Sequence, residues 1–272
     1  MKELWHKLLF EDVDIPSMPE IATKILASLE DKDSSVHKIA NLVLKDQALT
    51  ANILRIANTP YYQTRKQVTN LNDAIMCLGM HNLIPLVSII LLRQQLISKA
   101  IDNELLEHSC KVSIISSLLA ADVDIKKEEA LIAGLLHDVG ILLIFSNAPS
   151  TYNALKLKAQ TDKIAFVQAE NEILGGDHCH IGSLLAKKWN FPPIYDYAIK
   201  HHHDTAVSEE KLTYEERLCY LVRAADHIVF DAGIGIRQSY EKNLPRLLSV
   251  LNIGKETYDS AVAKIQEIDC IS

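Results

Sequence analysis

The sequence predicts an all-α protein, and three observations carry that prediction. Glycine and proline number only 9 and 8 in 272 residues, too few to turn a sheet of many short strands. Apolar residues recur three and four apart along most of the chain, the spacing that lines one face of a helix. No segment alternates apolar and polar residues convincingly enough to read as a strand, and neither repeats nor low-complexity stretches interrupt the pattern.

The elements follow in order. "SMPEIATKILASLE" aligns Ile21, Ile25 and Leu29 on one face, with Pro19 suited to a first turn. In "DSSVHKIANLVLKD", Ser34 or Ser35 can cap a helix whose stripe is Val36, Ile39, Ala40 and Val43, and Asp46 can cap "QALTANILRIAN" before the turn "NTPYY". "NLNDAIMCLGMHNLIPLVSIILLRQQL" reads as two helices broken near Gly79, which completes a five-helix lobe over residues 1–97. A second lobe, 98–272, opens with "ELLEHSCKVSIISSLLAADV", in which Leu105, Val112, Ile115 and Leu119 face inward. "LIAGLLHDVGILLIF" then suggests a helix pair bent near Gly134 or Gly140. "KIAFVQAENEIL" ends at Gly175–Gly176, and Asp177 caps "HCHIGSLLAKKW", which Pro192–Pro193 stop. Thr213 and Glu216 stand at capping-box spacing ahead of "LCYLVRAADHIVF", and residues 243–268 add one or two helices.

Composition narrows the function classes. A net charge of −7 with no basic cluster argues against nucleic acid as the main partner. The start "MKELWHKLLF" lacks a cleavage site, and "LIPLVSIILL" is too short to span a bilayer, so a soluble cytoplasmic chain without a membrane partner is expected. Five widely spaced cysteines (Cys77, Cys110, Cys179, Cys219, Cys270) read as reduced thiols in such a compartment.

Against this apolar background a few polar residues stand out. His108, the pair His137–Asp138 and Asp226 all fall where the helical pattern asks for core residues. Singly, each has an ordinary explanation: a core histidine bonded to a carbonyl, or Asp226 paired with Arg223 one turn earlier. Together, two imidazoles and two carboxylates on three helices suggest a shared divalent cation, which would offset the cost of burying them. Such N/O ligation suits Fe, Mn, Zn or Ni. A second group, His178 and His180 followed by His201–His203, reads either as solvent-facing histidines or, if two point inward, as a second metal position.

The order His108 … His137–Asp138 … Asp226 resembles the H…HD…D signature of the HD metal-dependent phosphohydrolase superfamily. The segments "SMPEIATKIL", "KDQALTANILRIANTPYY", "DAIMCLGMHNL", "LIAGLLHDVGILLI", "ENEILGGDHCHIGSLLAKKWNFP" and "AIKHHHD" further resemble, in order, the HDOD family of bacterial signalling output domains over about residues 10–230. The resemblance implies a single domain, 1–272, with the N-terminal helical lobe packed on an HD-type lobe. It implies His108, His137, Asp138 and Asp226 as metal ligands. By likeness to the HD-GYP phosphodiesterases it implies His178, His202 and His203 at a second metal.

Two departures bear on activity: "DTAVSEEKLTY" after the histidine run has no GYP motif, and Ile141 stands where active HD phosphodiesterases carry lysine. Two functions therefore stay open beside a metal-free structural remnant. One is a regulatory module that contacts a signalling partner. The other is a metal-dependent phosphohydrolase acting on a nucleotide or cyclic dinucleotide, with Asp138 accepting a proton from water.

Overall fold

The structure is a computed structural model and describes residues 17–31, 35–58, 67–83, 86–87, 90–91, 103–204, 206–208, 211–235, 243–266 and 268. Every regular element among these residues is helical, as the scarcity of turn formers predicts. The chain divides into two compact units, 17–100 and a second that includes 101–272.

In the first unit, α1 (Glu20–Glu30), α2 (Val36–Val43), α3 (Gln47–Ala57) and α4 (Leu71–Leu78) are short amphipathic helices. Their starts are set by side chains: Ser35 accepts from Lys38 N, Asp46 from Leu49 N, and Asn70 from Asp73 N. Gly79 ends α4 at φ 84°, a conformation that costs glycine little, so the expected break falls there. Ile25, Ile39, Val43, Leu49, Ile53 and Ile75 form the buried stripe. Ser34 as a cap, most of the turn after Asn58 and much of the fifth expected helix lie outside the described residues.

The second unit contains α5 (Asn103–Leu119), α6 (Lys127–Leu136), α7 (Val139–Asn147), α8 (Pro149–Asp162), α9 (Phe166–Ile173), α10 (His178–Lys188), α11 (Pro193–His201), α12 (Tyr214–Asp231), α13 (Leu244–Val250) and α14 (Lys255–Lys264). Helices α6 and α7 form its centre: α5, α11 and α12 pack on α6, while α8 and α10 pack on α7. Every residue from Ala130 to Phe145 is buried, which explains a run apolar on all sides. Residues 127–147 are long and apolar enough to cross a membrane, yet 89% of their most apolar window is buried within the fold.

The break in this pair falls between the two glycines that suggested it, at His137–Asp138. Both glycines serve close packing instead. A Cβ on Gly134 would sit 2.7 Å from Ser113 Cα of α5, and one on Gly140 would sit 2.0 Å from the His178 carbonyl oxygen. The capping box of Thr213 and Glu216 forms as its spacing predicts. The cysteines depart from expectation: Cys179 and Cys219 are free thiols, but Cys110 is disulfide-bonded. Spacing along the chain does not reveal which helices meet. Cys270 lies outside the described residues.

Candidate metal centre

Five short stretches of the second unit converge on Asp138. His137 and Asp138 occupy the break between α6 and α7, His108 lies in α5, His178 opens α10, His202 follows α11, and Asp226 lies in α12. Neighbouring residues in an unbroken helix point about 100° apart. The turn at Asp138 (φ −95°, ψ 17°) relaxes that constraint, and His137 Nε2 lies 3.2 Å from Asp138 Oδ2. Gly140 lets the start of α10 approach α7, and the Asp177 side chain caps α10 by accepting from His180 N–H.

Asp138 has two faces. Its Oδ2 lies 3.6 Å from His108 Nε2 as well as 3.2 Å from His137 Nε2, and His108 Nε2 lies 3.0 Å from Asp226 Oδ1. Its Oδ1 lies 3.2 Å from His178 Nε2 and 3.4 Å from His202 Nε2. The centre is sealed: relative exposure is 0% for His137 and His178, 1% for Asp138 and His108, 2% for His202 and 5% for Asp226.

The far nitrogen of each imidazole fixes its protonation. Nδ1 of His108, His137 and His202 meets the carbonyl oxygens of Ile234, Gly134 and Ile199 at 3.2, 2.7 and 2.8 Å. A carbonyl only accepts, so these nitrogens carry protons, and it is Nε2 of each ring that turns inward, a lone pair wherever it holds no second proton. His178 Nδ1 meets Glu170 Oε2 at 2.7 Å. Lone pairs and carboxylate oxygens therefore face one another. Although the contacts are short, His108 Nε2, His137 Nε2, both Asp138 oxygens and Asp226 Oδ1 make no aligned hydrogen bond.

Left to itself, such a centre must hold protons. Burial would lower the pKa of His202, but the charges of Cys179 and Asp138 outweigh it and push it up to about 10. His108 is also raised: burial opposes the shift, and Asp226 and Asp138 prevail. His178 stands well above the ordinary range, burial being outweighed chiefly by Glu170 and Cys179. Burial would raise Asp138, yet His137, His178 and His202 hold it well below the usual carboxylate range.

The histidine run resolves into three environments. His202 enters the centre, whereas His201 turns away to pair with Asp204 at 2.8 Å. His203 lies beside it, its ring centroid 4.0 Å from that of His202, with Nε2 buried and unbonded. Burial and the neighbouring His202 and His178 hold His203 well below the ordinary histidine range. Asp226 does not depend on Arg223, which donates to the Ala206 carbonyl and lies over Tyr220. Ile141 is fully buried, so the place of the expected lysine belongs to the core.

Two participants were missed in the sequence. Glu170 is fully buried in α9 and accepts from both the ring and the backbone N–H of His178. Burial raises its carboxyl above the usual range, with His178 pulling it back. Cys179 places Sγ 3.7 Å from His178 Nε2 and 4.0 Å from His202 Nε2. Burial would raise its thiol, but His202 and His178 lower it.

The HDOD domain pattern matches residues 15–205. The chain belongs to the HDOD family. An HDOD domain protein of unknown function from Geobacter sulfurreducens superposes with a TM-score of 0.71 at 24% identity, covering 98% of this chain and 93% of that one. A metal-dependent phosphohydrolase candidate from Shewanella amazonensis gives 0.70 at 18% identity, over 97% and 96% of the two chains. The MmoQ response regulator of Methylococcus capsulatus gives 0.51 at 24%, over 92% and 98%. At these identities the likeness is one of fold. Among curated relatives, Ribonuclease Y of Oleidesulfovibrio alaskensis is 26% identical over 259 residues, covering 93% of this chain and 43% of the relative. An uncharacterized protein of Treponema pallidum is 25% identical over 215 residues, covering 73% of this chain and 39% of the relative. The HDOD chain thus spans less than half of either.

Proposed function

We propose that this HDOD domain is a cytoplasmic regulatory module whose sealed centre holds divalent metal and which acts through a signalling protein partner. The observation that carries the metal is the set of buried atoms without aligned hydrogen bonds: His108 Nε2, His137 Nε2, both oxygens of Asp138 and Asp226 Oδ1. Leaving such atoms unsatisfied costs about 1–3 kcal/mol each, and a cation satisfies them together. His108, His137, Asp138 Oδ2 and Asp226 would hold one ion of the Fe, Mn, Zn or Ni kind. His178, His202 and Asp138 Oδ1 would hold a second, with His203 at its side.

Closure supports regulation over turnover. Structural metal sites are enclosed by protein donors, whereas catalytic ones keep a position open for water and substrate. With exposures of 0–5% at His108, His137, Asp138, His178, His202 and Asp226, these donors are enclosed by protein in the manner of the first kind. Ile141 also offers no charge to a phosphate.

A second reading rests on the two faces of Asp138, an arrangement suited to a pair of cations that activates water and a phosphoester. In that reading Asp138 accepts the proton of the attacking water, and the substrate is a nucleotide or cyclic dinucleotide.

The test is elemental mass spectrometry of tag-free protein beside the His137→Ala/Asp138→Ala double variant, with a phosphodiester assay on both. Metal in the wild type alone, without hydrolysis, is the expected result. Hydrolysis that vanishes in the double variant would replace regulation by catalysis. Absence of metal from the wild type would remove both.

A further inference from the structure

We propose that Cys179 is a metal ligand, giving the second position a thiolate donor and a preference for zinc that the first lacks. This inference rests on the metal reading above but assigns a residue that neither the HD nor the HDOD pattern requires.

Three donors stand as three corners of a tetrahedron, with the sulfur of Cys179 beside them. For zinc at its usual bond lengths, about 2.0–2.2 Å to nitrogen or oxygen and 2.3 Å to sulfur, tetrahedral donors stand roughly 3.3 Å apart, and a sulfur stands roughly 3.6 Å from a nitrogen. His178 Nε2 and His202 Nε2 are 3.3 Å apart. Asp138 Oδ1 lies 3.2 and 3.4 Å from the same two nitrogens. Cys179 Sγ lies 3.7 Å from His178 Nε2 and, flanking the His202 ring, 3.8 Å from its Nδ1 and 4.0 Å from its Nε2, so a turn of the cysteine side chain brings the sulfur to the fourth corner. The three edges among Asp138 Oδ1 and the two nitrogens agree within about 0.1 Å, and the ligating atoms of His178, Cys179, His202 and His203 all lie within 4.8 Å of one another. Asp138 Oδ1, in a fully buried side chain, has no aligned hydrogen-bond partner and faces this group.

The two halves of the centre then differ in softness. The first offers two imidazoles and two carboxylates; the second offers two imidazoles, a shared carboxylate and a thiolate. Thiolate favours zinc over harder ions such as manganese or magnesium.

Cobalt(II) is the probe, because it takes zinc positions and, when bound by thiolate, gains an intense near-ultraviolet charge-transfer band. Full-length, tag-free protein is stripped with chelator and titrated with cobalt. Wild type and Cys77→Ser should develop the band, and Cys179→Ser should lose it while still binding cobalt at the first position. Zinc affinity at the second position should fall at least tenfold in Cys179→Ser, as an outer-shell change alone can cost that much. If Cys179→Ser does not fold, retention of the band in each of Cys77→Ser, Cys110→Ser, Cys219→Ser and Cys270→Ser assigns it to Cys179.

A band that persists in Cys179→Ser overturns the proposal, as does cobalt bound to wild type with no thiolate band. Either leaves the metal centre itself standing. Failure of the wild type to bind cobalt or zinc at all removes the metal centre and this ligand with it.

Discussion

The two sides of Asp138 are built differently. On the Oδ2 side, His108 and His137 are oriented by backbone carbonyls, and the nearest anion besides Asp138 is Asp226. On the Oδ1 side, His178 is oriented by the carboxylate of Glu170, and Cys179 lies against both imidazoles. The first side depends on the shape of three helices. The second carries charge in its supporting shell, so its affinity can be tuned without moving the backbone. Asp138 alone belongs to both.

Asp138→Asn should therefore give the largest effect. It keeps the shape but removes the charge that both sides share, leaving buried imidazoles without their partner. The expected loss is about 3–5 kcal/mol of unfolding free energy, as when one member of a buried pair is removed. Both metals should go with it, seen by elemental analysis and denaturant unfolding. A variant that keeps its metal and its stability would show that the two sides do not meet at this carboxylate.

Chelation separates protons from metal as holders of the centre. His202 is pushed up to about 10 and His178 is raised, both against the opposing effect of burial. Groups raised in the folded state add stability that is complete below an ordinary histidine pKa of about 6.5 and is lost as pH climbs toward the folded value. The stripped protein should weaken from about pH 6.5 upward. Metal competes with protons for the same lone pairs, so its binding tightens over that range. At a hundredfold excess over Kd it adds about 2.7 kcal/mol, or roughly 5–10 °C in Tm for a unit of this size. The Tm gap between loaded and stripped protein should widen from pH 6.5 to 9; a flat gap would mean that protons and metal do not compete there.

Much of this centre was legible because polarity is conspicuous in an apolar helix. His108, His137, Asp138 and Asp226 announced themselves in that way, whereas the residues alone left His178 open between solvent and metal, and only the likeness to the HD-GYP phosphodiesterases implied it as a ligand. Glu170 did not, because it sits in "QAENEIL" among residues suited to a surface; the available signal was its position one turn after Phe166, whose face is buried. Cys179 was hidden for the opposite reason, since a cysteine between two histidines passes for core. The glycines misled as to the break at His137–Asp138: the sequence suggests a bend near one or the other, whereas each lets a neighbouring backbone come close. Caps and stop signals act within a few residues and were readable; close approach depends on a distant helix and was not.

Two substitutions address one side at a time. Gly235 has φ 95°, and a Cβ there would fall 2.4 Å from His108 Nδ1. Gly235→Ala adds backbone strain of about 1–3 kcal/mol and displaces the ring that meets the Ile234 carbonyl. The Oδ2 metal should weaken while the Oδ1 metal stays, which metal stoichiometry after limited chelation would show. Equal loss at both would mean that the halves form one rigid unit.

Glu170→Gln is the gentlest probe, and it acts from the other side. The amide keeps an oxygen for the Nδ1–H of His178 at nearly the same place, so the ring stays oriented and the fold should lose little. What it removes is the negative charge that makes Nε2 a better donor. Affinity at the Oδ1 position should fall about tenfold, with the Oδ2 position unchanged. Glu170→Ala, which removes the acceptor as well, should cost more at the same position and begin to lower Tm. Isothermal titration of stripped protein reads both constants, and a Gln variant as weak as the Ala variant would assign Glu170 to orientation alone rather than to charge.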